Sequence, residues 1–331
     1  MTENNYTCTS SSGEATRPTR KVMSRDAKRN IFFGCMIAVP ILLFVIFYCI
    51  VNIDSFSMAF KSYEMDIDEG YTASFAGFEN FKVIFKVLAY GENWRMITNS
   101  LILWLAKLCI GLPVSVIFSF YVYKKRFGSG FFRIILFLPN VISNLIMVYL
   151  FRFFADDAIK MLFGLELGLL QNSSTEFVTI LFFNLWLGFA GQTLMITSAM
   201  SGINESVVES AQIDGVTPLR ELWSITLPMI FSTFSSFIII GLTDLFVDQM
   251  SLVTFYDKMP SLVKIRTVGY YLYEQTYKSN VVPDTPWLRD PVNGVLSYSE
   301  LSAFGLMITC IVVPVSLGVR KLLDKFGPRE D

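Results

Sequence analysis

Histidine is absent from this 331-residue chain, and charged residues make up only 17% of it. The lack of histidine removes the commonest general base, proton shuttle and metal ligand, so we do not expect an enzyme. The five cysteines show no CxxC spacing, which leaves them as small apolar packing residues rather than metal or disulfide partners. A phosphate-binding loop of the form GxxxxGKS/T is also missing, so the chain is not expected to hold a nucleotide or any other cofactor itself.

Apolar residues, by contrast, account for 53% of the chain, which is more than a soluble domain of this length normally carries. Six stretches are long and apolar enough to cross the hydrocarbon core of a bilayer as helices. They are residues 31–53, 97–121, 131–153, 177–200, 229–252 and 299–320. Transmembrane strands would be about half as long and would alternate, so the sequence predicts an all-α integral membrane protein with six transmembrane helices.

The remaining segments divide the chain into a membrane domain and two tails. Residues 1–30 are polar and basic with few large apolar side chains, and we expect a disordered N-terminal tail. The membrane domain covers residues 31–320, and a short tail covers residues 321–331. The first apolar stretch ends in bulky residues such as Phe47 and Tyr48, unlike a signal peptide cleaved at small residues, so it should be retained.

The basic residues of the short loops predict the orientation of the helices. Basic clusters follow the second stretch, from Lys124 to Arg126, and the sixth, from Arg320 to Arg329. Together with the basic N-terminal tail, these clusters fall on one side of the membrane if the number of helices is six. By the positive-inside rule that side is the cytoplasm, and both termini are expected there. The net charge of −1 predicts no nucleic-acid partner.

The loop between the fourth and fifth stretches, residues 201–228, is too regular for an ordinary connection. Ser206 and Glu209 form a possible capping box at the start of a short helix, and Asn204 is a competing cap. Glycine adopts a positive φ at a helix end without penalty, so Gly215 should end that helix.

A second short helix is expected after this turn. Thr217 is a suitable cap and Pro218 suits the first helical position, where its missing N–H costs nothing. A helix lying on lipid would need a basic polar face, whereas Arg220 is the only basic residue of this loop. The loop is therefore predicted to be a cytoplasmic helix, turn and helix for which docking onto lipid is disfavoured.

These residues resemble the EAA loop of ABC importer permeases, in the variant of the maltose-type, carbohydrate branch. Residues 209–215 read ESAQIDG, and residues 225–228 read ITLP. The resemblance implies a type I ABC importer permease fold in which this loop forms cytoplasmic coupling helices. Those helices would enter a cleft on the ATP-hydrolysing subunit and relay its closure. The positions that the resemblance assigns to coupling are Glu209, Ala211, Asp214, Gly215, Leu227 and Pro228.

Ionisable residues inside the apolar stretches include Lys107 in the second, and Asp244 and Asp248 in the fifth. An intramembrane charge is costly, so each is a candidate functional group. Asp244 and Asp248 are four residues apart and share a helical face. Two interpretations stay open: a carboxylate accepts hydrogen bonds from sugar hydroxyls in a cavity, or Lys107 neutralises an Asp across a helix interface. Asp248 could also sit at the membrane surface.

Asn184 and Gly188 in the fourth stretch are further candidates for the substrate pathway. They are four residues apart, so they share a face on which a small residue leaves room beside an amide. The resemblance points the same way, because in maltose-type permeases the helices on both sides of the EAA loop line the sugar site. Helix packing alone would explain Gly188 equally well.

Residues and resemblance together predict the permease subunit of an ABC importer in the bacterial cytoplasmic membrane, translocating a mono- or oligosaccharide. The resemblance implies a second, homologous permease subunit, a dimer of ATP-binding subunits that holds ATP and Mg, and an external solute-binding protein. Membrane lipid is expected to surround the transmembrane helices. An ion-coupled secondary transporter, a membrane sensor subunit and a permease for a non-sugar solute remain alternatives.

Overall fold

The computed structural model describes residues 25–66, 70–90, 93–256, 264–281 and 295–327. Residues 1–24 of the predicted N-terminal tail and residues 328–331 of the C-terminal tail lie outside these ranges. Helix covers residues 25–30 and 321–326, which the sequence had assigned to the two tails. The first and last helices therefore extend beyond the predicted membrane domain at both ends.

Four helices among the described residues are long and apolar enough to cross a membrane, and two bent helix pairs raise the number to six. We number these spans 1 to 6 in chain order. Spans 1 to 3 are Lys28–Ala59, Trp94–Tyr123 and the pair Ser129–Val141 with Asn144–Phe163. Spans 4 to 6 are Glu176–Ser201, the pair Pro218–Met229 with Phe231–Asp244, and Tyr298–Lys325. If each bent pair is one span, every span overlaps one of the six stretches predicted from hydropathy.

The chain divides into two compact units, residues 1–54 and 55–331. The first unit holds the helix Arg25–Phe44, a π-helical turn Val45–Ile50 and the start of the helix Val51–Ala59. Its described side chains are exposed apart from the half-buried Cys49. A helix that is apolar all round is suited to a lipid environment.

The second unit contains the other five spans and several shorter helices and strands. Span 2 consists of the helix Trp94–Ala106, the π-helical turn Lys107–Gly111 and the helix Leu112–Tyr123. Span 3 consists of the helices Ser129–Val141 and Asn144–Phe153, the π-helical turn Phe154–Ala158 and the helix Ile159–Phe163. The remaining helices are Glu79–Ala89, Glu176–Ser201, Glu205–Ile213, Pro218–Glu221, Leu222–Thr226 (π), Leu227–Met229, Phe231–Asp244, Leu252–Phe255, Val268–Val281 and Tyr298–Phe326.

One β-hairpin interrupts the helical fold, and the sequence reading did not find it. Strands Lys61–Asp66 and Gly70–Phe75 pair antiparallel, with Lys61 opposite Phe75 and Asp66 opposite Gly70. Tyr and Thr in the second strand favour β-structure, and Gly70 begins that strand beside the turn. The hairpin is a short appendage, so the fold remains that of an α-helical membrane protein.

Span 3 is bent, where the sequence predicted one continuous helix over residues 131–153. Ser129–Val141 and Asn144–Phe163 meet at an angle of 104°. Ile142 and Ser143 both take extended backbone, with ψ of 140° and 136°. Pro139 lies three residues before the break and cannot donate an intrahelical hydrogen bond.

Span 5 also differs from the continuous helix predicted over residues 229–252. Its helix ends at Asp244, residues 245–251 form turns, and a separate short helix covers Leu252–Phe255. At the other end, Pro218–Met229 meets Phe231–Asp244 at 72°. The helix Phe231–Asp244 has 14 residues, fewer than the roughly 20 that cross a bilayer unaided. Irregular backbone at this depth is tolerated where protein or a water-filled cavity surrounds it.

Buried side chains form three clusters in the second unit. One, which we name the loop-end cluster, joins spans 2, 4 and 5 where the loop between spans 4 and 5 is attached. Its buried members are Leu112, Val116, Ile196, Met200, Leu222 and Ile230. A second cluster centres on Phe183 and Phe255, and a third on Tyr271 and Phe304. Spans 2, 4 and 5 therefore share a packed core next to the loop.

Candidate functional site

The loop between spans 4 and 5 begins with the helix Glu205–Ile213, capped by Asn204. Asn204 has extended backbone, and its side-chain oxygen accepts a hydrogen bond of 3.1 Å from the backbone N–H of Ser206. The alternative capping box of Ser206 with Glu209 was therefore wrong. Ser206 lies one residue inside the helix, so its hydroxyl is too far along the chain to cap the first turn.

Gly215 ends this helix as predicted, in a Schellman arrangement. Its φ is +69°, a value that glycine adopts without steric cost. The N–H of Gly215 donates to the carbonyl of Gln212 at 3.1 Å, and the N–H of Val216 donates to the carbonyl of Ala211 at 3.0 Å. The turn thus satisfies the last helical carbonyls and fixes the direction in which the chain leaves.

The second half of the loop is helical from Pro218 to Met229, with a π-helical turn at Leu222–Thr226. Thr217 precedes the helix and Pro218 occupies its first turn, as the sequence predicted. The side chain of Thr217 makes no capping hydrogen bond, however, so this end relies on the proline. The loop as a whole is a helix, a turn and a second helix.

The predicted coupling residues differ in exposure. Glu209, Asp214 and Gly215 are exposed, so a partner can reach them. Ala211 is only 6% exposed and belongs to the inner face of the hairpin. Leu227 and Pro228 are half-buried, where the second helix enters span 5. Ile213, Leu219 and Trp223 are apolar but 66–87% exposed, which leaves an uncovered apolar surface on the hairpin.

Two contacts attach the hairpin to the spans. Leu222 is 4% exposed and packs in the loop-end cluster with residues of spans 2 and 4. Glu221 forms an ion pair with Lys124, which directly follows span 2. The hairpin, which is joined covalently to spans 4 and 5, is therefore also held to span 2.

A cavity of about 140 Å³ lies between spans 2, 4 and 5. The four residues that the sequence proposed for a substrate pathway, Asn184, Gly188, Asp244 and Asp248, all line it. Lys107 lines it as well, together with the apolar Phe237 and Leu185 among others. The structure brings these candidates together from helices that are distant in sequence. A concave, mostly apolar site with a few polar groups is typical of small-molecule binding.

Lys107 pairs with Asp248 rather than with Asp244. The ammonium of Lys107 contacts Oδ2 of Asp248, and the two side chains are 33% and 21% exposed. Asp248 also accepts a hydrogen bond of 2.8 Å at Oδ1 from the backbone N–H of Met250. Asp248 therefore lies at the cavity wall, where both of its carboxylate oxygens have a partner.

Asp244 lines the same cavity without such a partner. Its residue is exposed, and across the described ranges no residue forms an ion pair or hydrogen bond with its carboxylate. Lys107, the one lining residue with a positive charge, is already engaged by Asp248. The Asp244 carboxylate is therefore available to a ligand.

Asn184 links span 4 to the break in span 5. Its side-chain N–H groups donate to the carbonyl of Ile180 at 2.8 Å and to that of Met250 at 3.0 Å. Met250 and Ser251 have positive φ, +52° and +56°, which is unusual for residues other than glycine. Strained backbone of this kind clusters at functional sites. Gly188 faces open space, with nothing within 4 Å of where a Cβ would be.

A polar segment after span 5 is tied to the same wall. Thr267 donates its hydroxyl to the carbonyl of Asp248 at 2.8 Å. Farther along, Glu274 is buried and pairs with Arg266 at 3.2 Å and with Lys278 at 2.8 Å. Burial, and secondarily the charge of Glu274, raises the pKa of Tyr270 to about 12. The tyrosine therefore remains neutral at physiological pH.

Sequence reasoning missed several cavity residues because they are neither charged nor conspicuous in a membrane helix. Trp104, Gln192 and Gly241 all line the cavity. A Cβ at Gly241 would lie 3.6 Å from Nε1 of Trp104, so the two helices approach closely there. A polar residue such as Gln192 within an apolar stretch was the one available signal.

Comparison with known proteins relates this arrangement to transport systems. The sequence profile described as "Binding-protein-dependent transport system inner membrane component" matches residues 108–330, about two thirds of the chain. The chain is 25% identical over 310 residues to the multiple sugar-binding transport system permease protein MsmF of Streptococcus mutans, covering 90% of this chain and 97% of that protein. It is also 25% identical over 215 residues to the sn-glycerol-3-phosphate transport system permease protein UgpA of Shigella dysenteriae, covering 63% of this chain and 72% of that protein.

Solved structures agree on the fold. A chain of a bacterial ABC transporter involved in the import of the acidic polysaccharide alginate superposes with a TM-score of 0.69 at 20% identity, covering 91% of this chain and 98% of that chain. A chain of the alginate transporter in complex with its pentasaccharide-bound periplasmic protein gives the same TM-score, covering 89% and 94%.

Proposed function

Because the chain belongs to the family of binding-protein-dependent transport system inner membrane components, we propose that it is the transmembrane permease subunit of an ABC importer that translocates a carbohydrate. The observation that carries this proposal is the continuous packing from an exposed helical hairpin to a cavity. Leu222 and Glu221 attach the hairpin to spans 2 and 4, and the same spans line the cavity with span 5. Packed elements of this kind switch between discrete arrangements.

The hairpin is the docking site for an ATP-hydrolysing partner. Its exposed apolar residues Ile213, Leu219 and Trp223 offer the kind of surface that a protein partner covers. Glu209 and Asp214 lie exposed on the same hairpin. ATP and Mg are held by that partner, a dimer of ATP-binding subunits, and its closure moves the hairpin.

The chain works in the bacterial cytoplasmic membrane with both termini in the cytoplasm. Lys124 directly follows span 2 and pairs with Glu221 of the hairpin, and the end of span 6, which carries basic residues such as Lys325, approaches Phe231 of span 5. The positive-inside rule assigns this end of the spans to the cytoplasm. The hairpin then faces the compartment in which ATP is available. The β-hairpin and the segment around Glu274 face outward.

The cargo is a carbohydrate delivered by an external solute-binding protein, and a second, homologous permease subunit completes the pathway. MsmF is named for multiple sugars, and the alginate transporter is solved with a pentasaccharide-bound periplasmic protein. Asp244, Asn184 and Gly188 supply a carboxylate, an amide and open space on this chain's side of the cavity. Such groups suit the hydroxyls of a sugar.

Uptake by the purified assembly in proteoliposomes tests this function. The assembly would be isolated from native membranes by a tag on this chain, and its partners identified by mass spectrometry. We expect ATP-binding subunits and a second permease to co-purify, and labelled sugar to enter only with ATP on the cytoplasmic face and the solute-binding protein outside. Uptake by this chain alone under an ion gradient would instead identify an ion-coupled secondary transporter using Lys107 and Asp244 as its relay. Co-purification without uptake would indicate a sensor.

A further inference from the structure

The cavity carries an uncompensated negative charge. Lys107, Asp244 and Asp248 are its charged lining residues, and Lys107 is bound to Asp248. The pair offsets itself, which leaves the Asp244 carboxylate as the charge that a ligand would meet. No described residue forms an ion pair or hydrogen bond with that carboxylate.

The Lys107 ammonium is not free to compensate Asp244. Oδ2 of Asp248 contacts the ammonium, and the backbone N–H of Met250 holds Oδ1 of Asp248 at 2.8 Å. The Asp248 carbonyl in turn accepts the hydroxyl of Thr267 at 2.8 Å. Asp248 is therefore fixed at three points, and moving Lys107 away from it would leave a partly buried carboxylate without its counter-charge.

The other polar lining groups are uncharged. Both N–H groups of the Asn184 amide are engaged by backbone carbonyls, so its oxygen remains as an acceptor. Gln192 and Trp104 add side chains that can donate hydrogen bonds. Neutral donors and acceptors of this kind suit hydroxyl groups, which both donate and accept, and none of them compensates an anion in the way that an arginine would.

On this basis we propose that Asp244 makes the pathway selective for uncharged or amine-bearing carbohydrates over acidic ones. The inference rests on the proposed function and narrows its substrate class. A carboxylate or phosphate on the sugar would come near a like charge that no described residue compensates, and the two charges would repel each other. An ammonium on the sugar would be attracted. Selectivity of this kind uses an unpaired charge against the wrong ligand.

Direct binding to the membrane complex separates this selectivity from that of the solute-binding protein. The purified permease and ATPase assembly, without the binding protein, would be placed in lipid nanodiscs. Binding of three disaccharides of similar size would be measured by saturation-transfer NMR: maltose, digalacturonate and the glucosamine dimer. We expect maltose and the glucosamine dimer to bind at least about tenfold more tightly than digalacturonate, a difference of about 1.4 kcal/mol.

Variants at one position connect the effect to Asp244. Asp244→Asn should bring the binding ratio of maltose to digalacturonate close to one, whereas Asp244→Glu should retain the discrimination. Asp324→Asn removes the same charge from a side chain that is 70% exposed near the end of span 6, and should leave the ratio unchanged.

Three outcomes would overturn the inference. Equal binding of maltose and digalacturonate by the unmodified complex would mean that a cation of the second subunit neutralises Asp244. An unchanged ratio in Asp244→Asn would mean that the carboxylate does not meet the sugar. In both cases carbohydrate binding, and with it the proposed function, would stand. If none of the three sugars binds, the carbohydrate function fails as well.

Discussion

Lys124 and Glu221 form an ion pair in which the Glu221 side chain is buried, at 4% exposed, and the Lys124 side chain is partly buried, at 15% exposed. The pair joins the end of span 2 to the second helix of the coupling hairpin. The Lys124 ammonium also lies 5.6 Å from the centre of the Phe120 ring and 5.7 Å from that of Tyr123. The hairpin is therefore held to span 2 by an ion pair that lies beside two aromatic rings, in addition to its covalent links to spans 4 and 5.

Breaking this pair from one side should destabilise the protein more than replacing both partners. Lys124→Met leaves the buried Glu221 carboxylate unpaired, which typically costs about 3–5 kcal/mol. The double variant Lys124→Met with Glu221→Leu removes both charges and should recover most of that loss. Thermal unfolding of the purified assembly measures both. Equal losses in the single and double variants would contradict a direct interaction.

Gly215 is expected to be essential for coupling because of its backbone conformation. Gly215→Val should abolish uptake while leaving membrane insertion intact, since a β-branched residue is strained at a φ of +69°. Nothing lies within 4 Å of the position that a Cβ would take, so the effect would not arise from a clash. Gly215→Asn is the control, because Asn tolerates this region and should retain uptake. Normal uptake by the valine variant in a fully assembled complex would contradict the requirement for glycine at this position.

Asn184 should contribute to stability through the carbonyl of Met250. Asn184→Leu is similar in size but leaves that buried carbonyl without its donor, at a cost of about 1–3 kcal/mol. Chemical denaturation of the assembly in detergent would detect the loss. Asn144→Ala is the matched control: its exposed amide lies 3.4 Å from the Ser251 hydroxyl, and its removal should change stability by less than about 0.5 kcal/mol. A similar loss in both variants would argue against the Asn184 link.

Ser251 tests the strain at the break in span 5. Ser251→Val places a β-branched side chain at a φ of +56° and should destabilise the protein by about 1–2 kcal/mol. Ser251→Gly relieves the strain but increases the conformational entropy of the unfolded chain, so its net effect on stability should be small. The melting temperatures of the two variants should differ in that order. Identical melting temperatures would mean that the turn carries no strain.

Local features of the fold could be predicted from the sequence, because their causes lie within a few residues. The helix break at Gly215 and the restart at Pro218 follow from glycine and proline backbone preferences. The spans follow from apolar length alone. The cap was ambiguous because Asn204 and Ser206 are both good caps, and only the geometry of the first turn distinguishes them.

Long-range features could not be predicted. Lys107 and Asp248 are 141 residues apart, and from the sequence alone Lys107 could have paired with either Asp244 or Asp248. The break in span 5 was missed because residues 245–255 stay largely apolar and contain no glycine or proline. Its causes are the Asn184 amide, 66 residues from Met250, and the side chain of Asp248. Such contacts depend on the packing of the whole bundle.

The hydrogen bond from Asn184 to Met250 has a mechanical consequence. Spans 4 and 5 are joined through the coupling hairpin at one end, and this bond fastens them again beside the cavity. Elements linked at two points along their length are braced against sliding past each other. The second link lies beside the cavity, because Asn184 is one of the residues that line it.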